Sequence, residues 1–89
     1  MPYSYEFSPD LSKYLKKLKK KDSLLHERVM KKVLDIIDKP ELYKTLKHVG
    51  GKYKRVHVGS FVLIFEILED KIYFLLFDHH DKAYKVLRE

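Results

Sequence analysis

Hydrophobic positions follow two different periods along this chain, and the change from one to the other falls near residue 50. Tyr3, Tyr5 and Phe7 alternate with Ser4 and Glu6, the period of a short half-buried strand. Leu11, Tyr14, Leu15 and Leu18 then recur at helical spacing, and so do Leu25, Val29, Val33, Ile36 and Ile37. Ser8-Pro9-Asp10 reads as a helix start: a hydroxyl cap, a proline at the first helical position and an acid in the first turn. The run Lys19-Lys20-Lys21 interrupts the stripe, and Asp22 or Ser23 can cap a second helix. That helix must stop near Asp38, because Pro40 disfavours helix in the residue before it. Two helices with so short a connection form an antiparallel hairpin.

From Gly50 to Tyr84 the period shortens to two. Three runs rich in β-branched and aromatic residues are separated by Gly59-Ser60 and Glu69-Asp70, which predicts an antiparallel meander. Gly59 suits the first central position of a type II′ turn, where φ must be positive. Counting back from two-residue turns pairs His57 with Val62, Arg55 with Ile64 and Tyr53 with Glu66. On the next strand the same count pairs Val62 with Phe77, Ile64 with Leu75 and Glu66 with Tyr73. One face then carries Val56, Val58, Phe61, Leu63, Phe65, Ile67, Ile72, Phe74 and Leu76 for the helices to cover. The other carries Tyr53, Arg55, His57, Glu66 and Tyr73 over a floor of Val62, Ile64, Leu75 and Phe77, with His79 continuing it. The expected fold is α+β: an N-terminal strand, a two-helix hairpin, a three-stranded antiparallel meander and a short C-terminal segment.

Eighty-nine residues make one domain, spanning 1–89, near the lower end of what folds on a single core. The chain has no cysteine, so no disulfide framework or thiolate site is expected. No apolar run approaches the ~20 residues of a membrane helix, and the N-terminus lacks a signal peptide's apolar segment. A cytoplasmic protein without membrane contact is the expectation. Asn, Gln, Cys and Trp are absent while Lys and Glu are plentiful, a bias that fits a thermophile. The net charge of +6 lies in the N-terminal part: residues 1–52 hold 13 basic and 7 acidic residues, residues 53–89 hold 6 of each. Such a surplus suits a polyanionic partner or a solvated lysine-rich helix face.

The meander also carries wording. Lys54-Arg55-Val56-His57-Val58-Gly59-Ser60-Phe61-Val62-Leu63-Ile64-Phe65-Glu66-Ile67, followed by His79-His80-Asp81-Lys82-Ala83-Tyr84, resembles the RelE/ParE toxin superfamily of toxin–antitoxin systems. Members typically show Tyr-Arg-x-Arg-Val-Gly-Asp-Tyr-Arg-Val-Ile-Tyr-Glu-Ile and a His-Arg-Arg-x-x-Tyr ending. The strand and helix pair fit as well, so the resemblance covers nearly the whole chain.

The resemblance implies a ribosome-dependent mRNA endoribonuclease that uses no metal or other cofactor. It also implies a cognate antitoxin, with a toxin–antitoxin hetero-oligomer, and the ribosome and mRNA as partners. The ribose 2′-hydroxyl attacks the adjacent phosphate, which calls for a base, an acid and cations around the phosphorane. Position by position, Arg55 and His57 match the basic pair before the Val-Gly turn, Tyr84 the C-terminal tyrosine, and His79 or His80 the basic cluster ahead of it. Lys52, Lys54, Lys82 and Lys85 flank these positions and are assigned to the RNA. His79-His80-Asp81 invites a metal reading, but adjacent strand residues point to opposite faces, and a zinc site needs further ligands. The sequence departs from the pattern at Val62, where arginine is usual, and at His80 and Asp81. Arginine at 62 would be expected to restore a cation beside His57. Two readings without cleavage stay open: a ParE-type gyrase poison, and a degenerate toxin that acts only by binding its antitoxin.

Overall fold

In a computed structural model of the chain, residues 3–43, 53–79 and 81–82 are described. Strand β1 (Ser4–Phe7) leads into helix α1 (Pro9–Lys21), helix α2 (Ser23–Asp38) and a 3-10 turn (Pro40–Leu42). Strands β2 (Tyr53–Val58), β3 (Phe61–Leu68) and β4 (Lys71–His79) follow. The expected α+β order is thus the observed one.

The helix boundaries follow the capping chemistry. Ser8 caps α1, its hydroxyl accepting from the Leu11 amide, with Pro9 opening the helix and Asp10 in its first turn. Asp22 caps α2 through its carboxylate, which accepts from the Leu25 amide at 3.1 Å. Lys19, Lys20 and Lys21 lie in the last turn of α1, where cations oppose the carbonyl end of the helix dipole.

The four strands form one sheet in the order β1-β4-β3-β2, with β1 parallel to β4 and the other pairs antiparallel. Both helices lie on one face, α1 over β4 and α2 over β2. The core between them holds Leu11, Leu15 and Leu18 from α1, and Val29, Val33, Ile36 and Ile37 from α2. From the sheet it takes Val56, Val58, Leu63, Phe65, Ile72, Phe74 and Phe77. Tyr14 and Leu25, expected on the helix stripes, are half-buried at the margin. Tyr5 stays 52 % exposed because β1 is an edge strand.

Between β2 and β3 every expected pair is found, from Tyr53–Glu66 to His57–Val62. Gly59 has φ +63°, and Ser60 does not share a positive φ, as a type II′ turn requires. Between β3 and β4 the expected register holds for Glu66–Tyr73 and then breaks. Phe65 pairs with Phe74 but Ile64 pairs with Leu76, so Leu75 is an extra residue on β4 and forms a β-bulge. Beyond it Val62 faces Asp78, not Phe77, and Phe61 faces His79. A one-residue slip exchanges the faces. Leu76, expected in the core, therefore packs against Val62 and Ile64 on the outer face, while Phe77, expected outside, is in the core.

Candidate functional site

Strand β2 presents Tyr53, Arg55 and His57 on the face turned away from the helices, because Val56 and Val58 take the intervening core positions. His57 is exposed and Arg55 half-buried. Two residues apart on one strand face, their side chains point the same way about 7 Å apart, a span that fits a guanidinium and an imidazole on one phosphodiester. The row Tyr53–Glu66–Tyr73 runs across the same face, and the Lys71 ammonium lies 5.2 Å from the centre of the Tyr73 ring.

The expected floor is not open. Val62 and Ile64 are both 0 % exposed, closed over in part by Tyr53 and Leu76. Neither a base nor an antitoxin side chain can reach them in this conformation, and an arginine at 62 would not be a surface cation.

The bulge also moves His79. Its ring stacks on Phe61 with centroids 4.2 Å apart, and Phe61 in turn stacks on Phe77 at 5.0 Å, on the helix side of the sheet. His79 is therefore not brought beside Arg55 and His57, as the uninterrupted count required. Asp78 takes the register position opposite Val62, and its carboxylate accepts from the His79 amide at 2.7 Å. Lys54, expected on RNA, lies on the core side of β2 and donates to the Tyr43 carbonyl at 2.8 Å. Its charge therefore ties the 3-10 turn to the sheet. Lys82 is exposed. His80, Tyr84, Lys52 and Lys85 lie outside the described residues.

A shallow depression of about 300 Å³ runs between α2 and the β2–β3 turn, and brings Arg28, Lys31, Lys32 and Asp35 together with His57 and Gly59. The i, i+3, i+4 spacing of the three cations on α2 was readable in the sequence. That α2 lies over β2, and so beside His57, was not.

Among the described residues no three His, Asp or Glu side chains are grouped to hold a metal ion. No described helix is long and apolar enough to cross a membrane. Two phenols depart from their usual acidity. Tyr14 is raised by burial and secondarily by the Asp78 carboxylate, Tyr43 by burial and secondarily by Asp35.

Comparison with known proteins agrees with this architecture. A family described as the ParE toxin of the type II toxin–antitoxin system, parDE, matches residues 5–84. A Methanocaldococcus jannaschii protein named "Putative toxin RelE4" is 42 % identical over 86 residues, covering 93 % of this chain and 92 % of its own. An uncharacterized Methanosarcina mazei protein is 36 % identical over 85 residues, covering 92 % and 99 % respectively. Among solved structures, a mutant of the E. coli toxin RelE in the free state superposes with a TM-score of 0.75 at 20 % identity, covering 100 % of this chain and 94 % of that one. The RelBE2 toxin–antitoxin complex from Mycobacterium tuberculosis gives 0.73 at 20 % identity, covering 90 % and 100 %. At that identity the two structures speak for the fold, while the family match and the archaeal relatives speak for kinship. The chain belongs to the RelE/ParE superfamily of toxins of type II toxin–antitoxin systems.

Proposed function

We propose that this toxin is a ribosome-dependent mRNA endoribonuclease, active in the cytoplasm and held inactive by a cognate antitoxin. The observation that carries the reading is the placement of Arg55 and His57 side by side on the outer face of β2, with His57 exposed. In the reaction, the ribose 2′-oxygen loses its proton and attacks the adjacent phosphorus. The bond to the 5′-oxygen breaks and that oxygen is protonated, leaving a 2′,3′-cyclic phosphate and a 5′-hydroxyl. No water or metal enters the balance. His57 exchanges one of the two protons, a task open to an imidazole because its ring nitrogens can either donate or accept. Arg55 holds the non-bridging oxygens through charge-assisted hydrogen bonds. His80 and Tyr84, which match the family's C-terminal basic cluster and tyrosine, are assigned to the second proton and to stacking on a base. His79, stacked on Phe61, is left out of the machinery. The antitoxin is inferred from the family and from the RelBE2 complex, a toxin–antitoxin assembly of the same fold.

Cleavage of mRNA on programmed ribosomes tests this. His57→Ala is expected to slow single-turnover cleavage by about a hundred- to ten-thousand-fold with little change in binding. Arg55→Ala should reduce rate and binding together. Cleavage should yield the 2′,3′-cyclic phosphate and a 5′-hydroxyl. The buried valine at the family's arginine position favours a second reading, a toxin that acts by binding alone, including a gyrase poison. A folded wild-type protein that arrests growth while leaving ribosome-bound mRNA intact would establish that reading instead.

A further inference from the structure

Among the described residues, a cationic depression between α2 and the β2–β3 turn reaches the proposed catalytic face at His57. Arg28, Lys31 and Lys32 stand at i, i+3 and i+4 on α2, so all three project from one side of the helix. His57 closes the opposite wall. Asp35 is the single carboxylate in the lining, and it forms no ion pair within 4 Å among the described residues. At Gly59, an added Cβ would meet nothing within 4 Å, so the turn backbone borders open space that a ligand can enter.

We propose that this depression binds the sugar–phosphate backbone of the RNA strand, next to the phosphodiester held by Arg55 and His57. The proposal rests on the endoribonuclease reading and extends it to residues on a different element. The charge balance of the lining, three cations against one carboxylate, fits a polyanion. Val58 is the one apolar residue of the lining and is 4 % exposed, so the depression lacks the aromatic or aliphatic anchors of a protein interface. A different depression, between β1, α1 and α2, is lined by Phe7, Leu15 and Met30 and has that apolar character. The α2 cations also supply fixed charge near His57, in a chain whose β3 carries Val62 where the family places arginine. Bidentate Arg28 and the two lysines grip phosphate oxygens without reading bases, so the site sets strand position and leaves sequence choice to other contacts.

The test uses the full chain and a fluorescent single-stranded RNA carrying a 2′-deoxy residue in place of each ribose next to a cleavable phosphate. Binding is followed by anisotropy from 50 to 200 mM KCl. The triple variant Arg28→Gln, Lys31→Gln, Lys32→Gln is compared with a control of equal charge loss on α1, Lys13→Gln, Lys16→Gln, Lys17→Gln. These α1 lysines are exposed and outside the depression. Each phosphate contact on a single strand contributes about 0.7 to the slope of log K against log salt. Losing three lowers the slope by about 2, so over this fourfold salt range the wild type should lose about twentyfold more affinity than the triple variant. The control should keep the wild-type slope. Lys31→Glu alone, a surface change on an exposed position, should weaken binding in the same direction and covers the case of a poorly folded triple variant.

Equal slopes for the wild type and the triple variant overturn the proposal. So does a control that loses as much as the triple variant, which would mean unlocalised charge attraction. A third overturning result is unchanged RNA affinity with weakened antitoxin binding, which would make the depression a protein contact. The binding readout does not depend on cleavage. An α2-dependent slope without mRNA cleavage would therefore sink the nuclease reading and leave the backbone site standing.

Discussion

The hydroxyl of Ser8 donates to the carbonyl of Leu75 at 2.8 Å, joining the cap of the first helix to the bulge of the last strand. The same oxygen accepts from the Leu11 amide at 3.1 Å, and the Ser8 amide donates to the Phe74 carbonyl at 2.9 Å. The parallel pairing of β1 with β4 ends at Phe7–Phe74, one residue before the extra residue. The strand-to-helix corner thus takes over the hydrogen bonds of β4 at the point where its ladder to β3 is interrupted. Downstream, the exchanged faces bury Phe77 and stack His79 on Phe61.

Replacing Ser8 separates the two functions of its hydroxyl. Ser8→Ala loses the cap and leaves the Leu75 carbonyl without its side-chain donor, for an expected cost of about 1–3 kcal/mol. Ser8→Asp restores a good cap acceptor but sets a carboxylate against the Leu75 carbonyl. It should be no more stable than Ser8→Ala in urea unfolding. Wild-type stability in Ser8→Asp would mean that the bond to Leu75 contributes nothing.

The two hairpin turns should respond in opposite directions. Gly59 has φ +63° with open space around it, so Gly59→Ala is penalised by backbone conformation alone, at about 1–2 kcal/mol. Glu69 adopts φ 58° with a side chain. Glu69→Gly removes that strain while loosening the unfolded chain, for a net gain of up to about 1 kcal/mol. Urea midpoints of both variants check the pair, and a loss of stability in Glu69→Gly would contradict the strain.

Alkaline stability should depend on Tyr14. Burial, helped by the Asp78 carboxylate, raises its phenol above the usual value of about 10. Its ring packs 6.0 Å from Phe77, so Tyr14→Phe keeps the aromatic contact. The unfolded phenol ionises first, and the unfolded state then binds fewer protons than the native one. The stabilising contribution is therefore complete below pH about 10 and is lost as pH rises through the folded value. Stability of the wild type relative to Tyr14→Phe should fall across that window, by more than it falls relative to Asp78→Asn. A constant difference between wild type and Tyr14→Phe from pH 9 to pH 12 would refute the shift.

Much of this fold was legible because local signals agreed with one another. Ser8-Pro9-Asp10, Asp22 and Pro40 bound the helices, and Gly59 set a turn whose register held for all of β2. The β3–β4 register failed at Leu75 because its cause is remote: the donor that stabilises the bulge sits on residue 8. A run such as Tyr-Phe-Leu-Leu-Phe is apolar at every position, so alternation could not mark the slip. The same holds for the site. Arg55 and His57 followed from counting, whereas the approach of Arg28, Lys31 and Lys32 depends on α2 packing over β2. Lys54 reads as a basic-cluster residue, yet its ammonium is committed to the Tyr43 carbonyl.

Val62→Arg, which restores the family's arginine, should unfold this chain more readily than it helps catalysis. Val62 is 0 % exposed and packs with Ile64, Tyr53 and Leu76. A guanidinium there overfills the space, at about 1–3 kcal/mol, and loses much of its hydration. An uncompensated buried charge adds about 3–5 kcal/mol, a large share of the total stability of so small a domain. The register offers one compensation, since Asp78 on β4 lies directly opposite position 62. The double variant Val62→Arg, Asp78→Asn should therefore be less stable than the sum of the single effects predicts, by about 0.5–3 kcal/mol. Val62→Leu supplies volume without charge and should cost least of the three. Urea unfolding of the set decides the matter. If Val62→Arg matches the wild type in stability, the cover over Val62 opens in solution, and the outer face can admit RNA more deeply than this conformation allows.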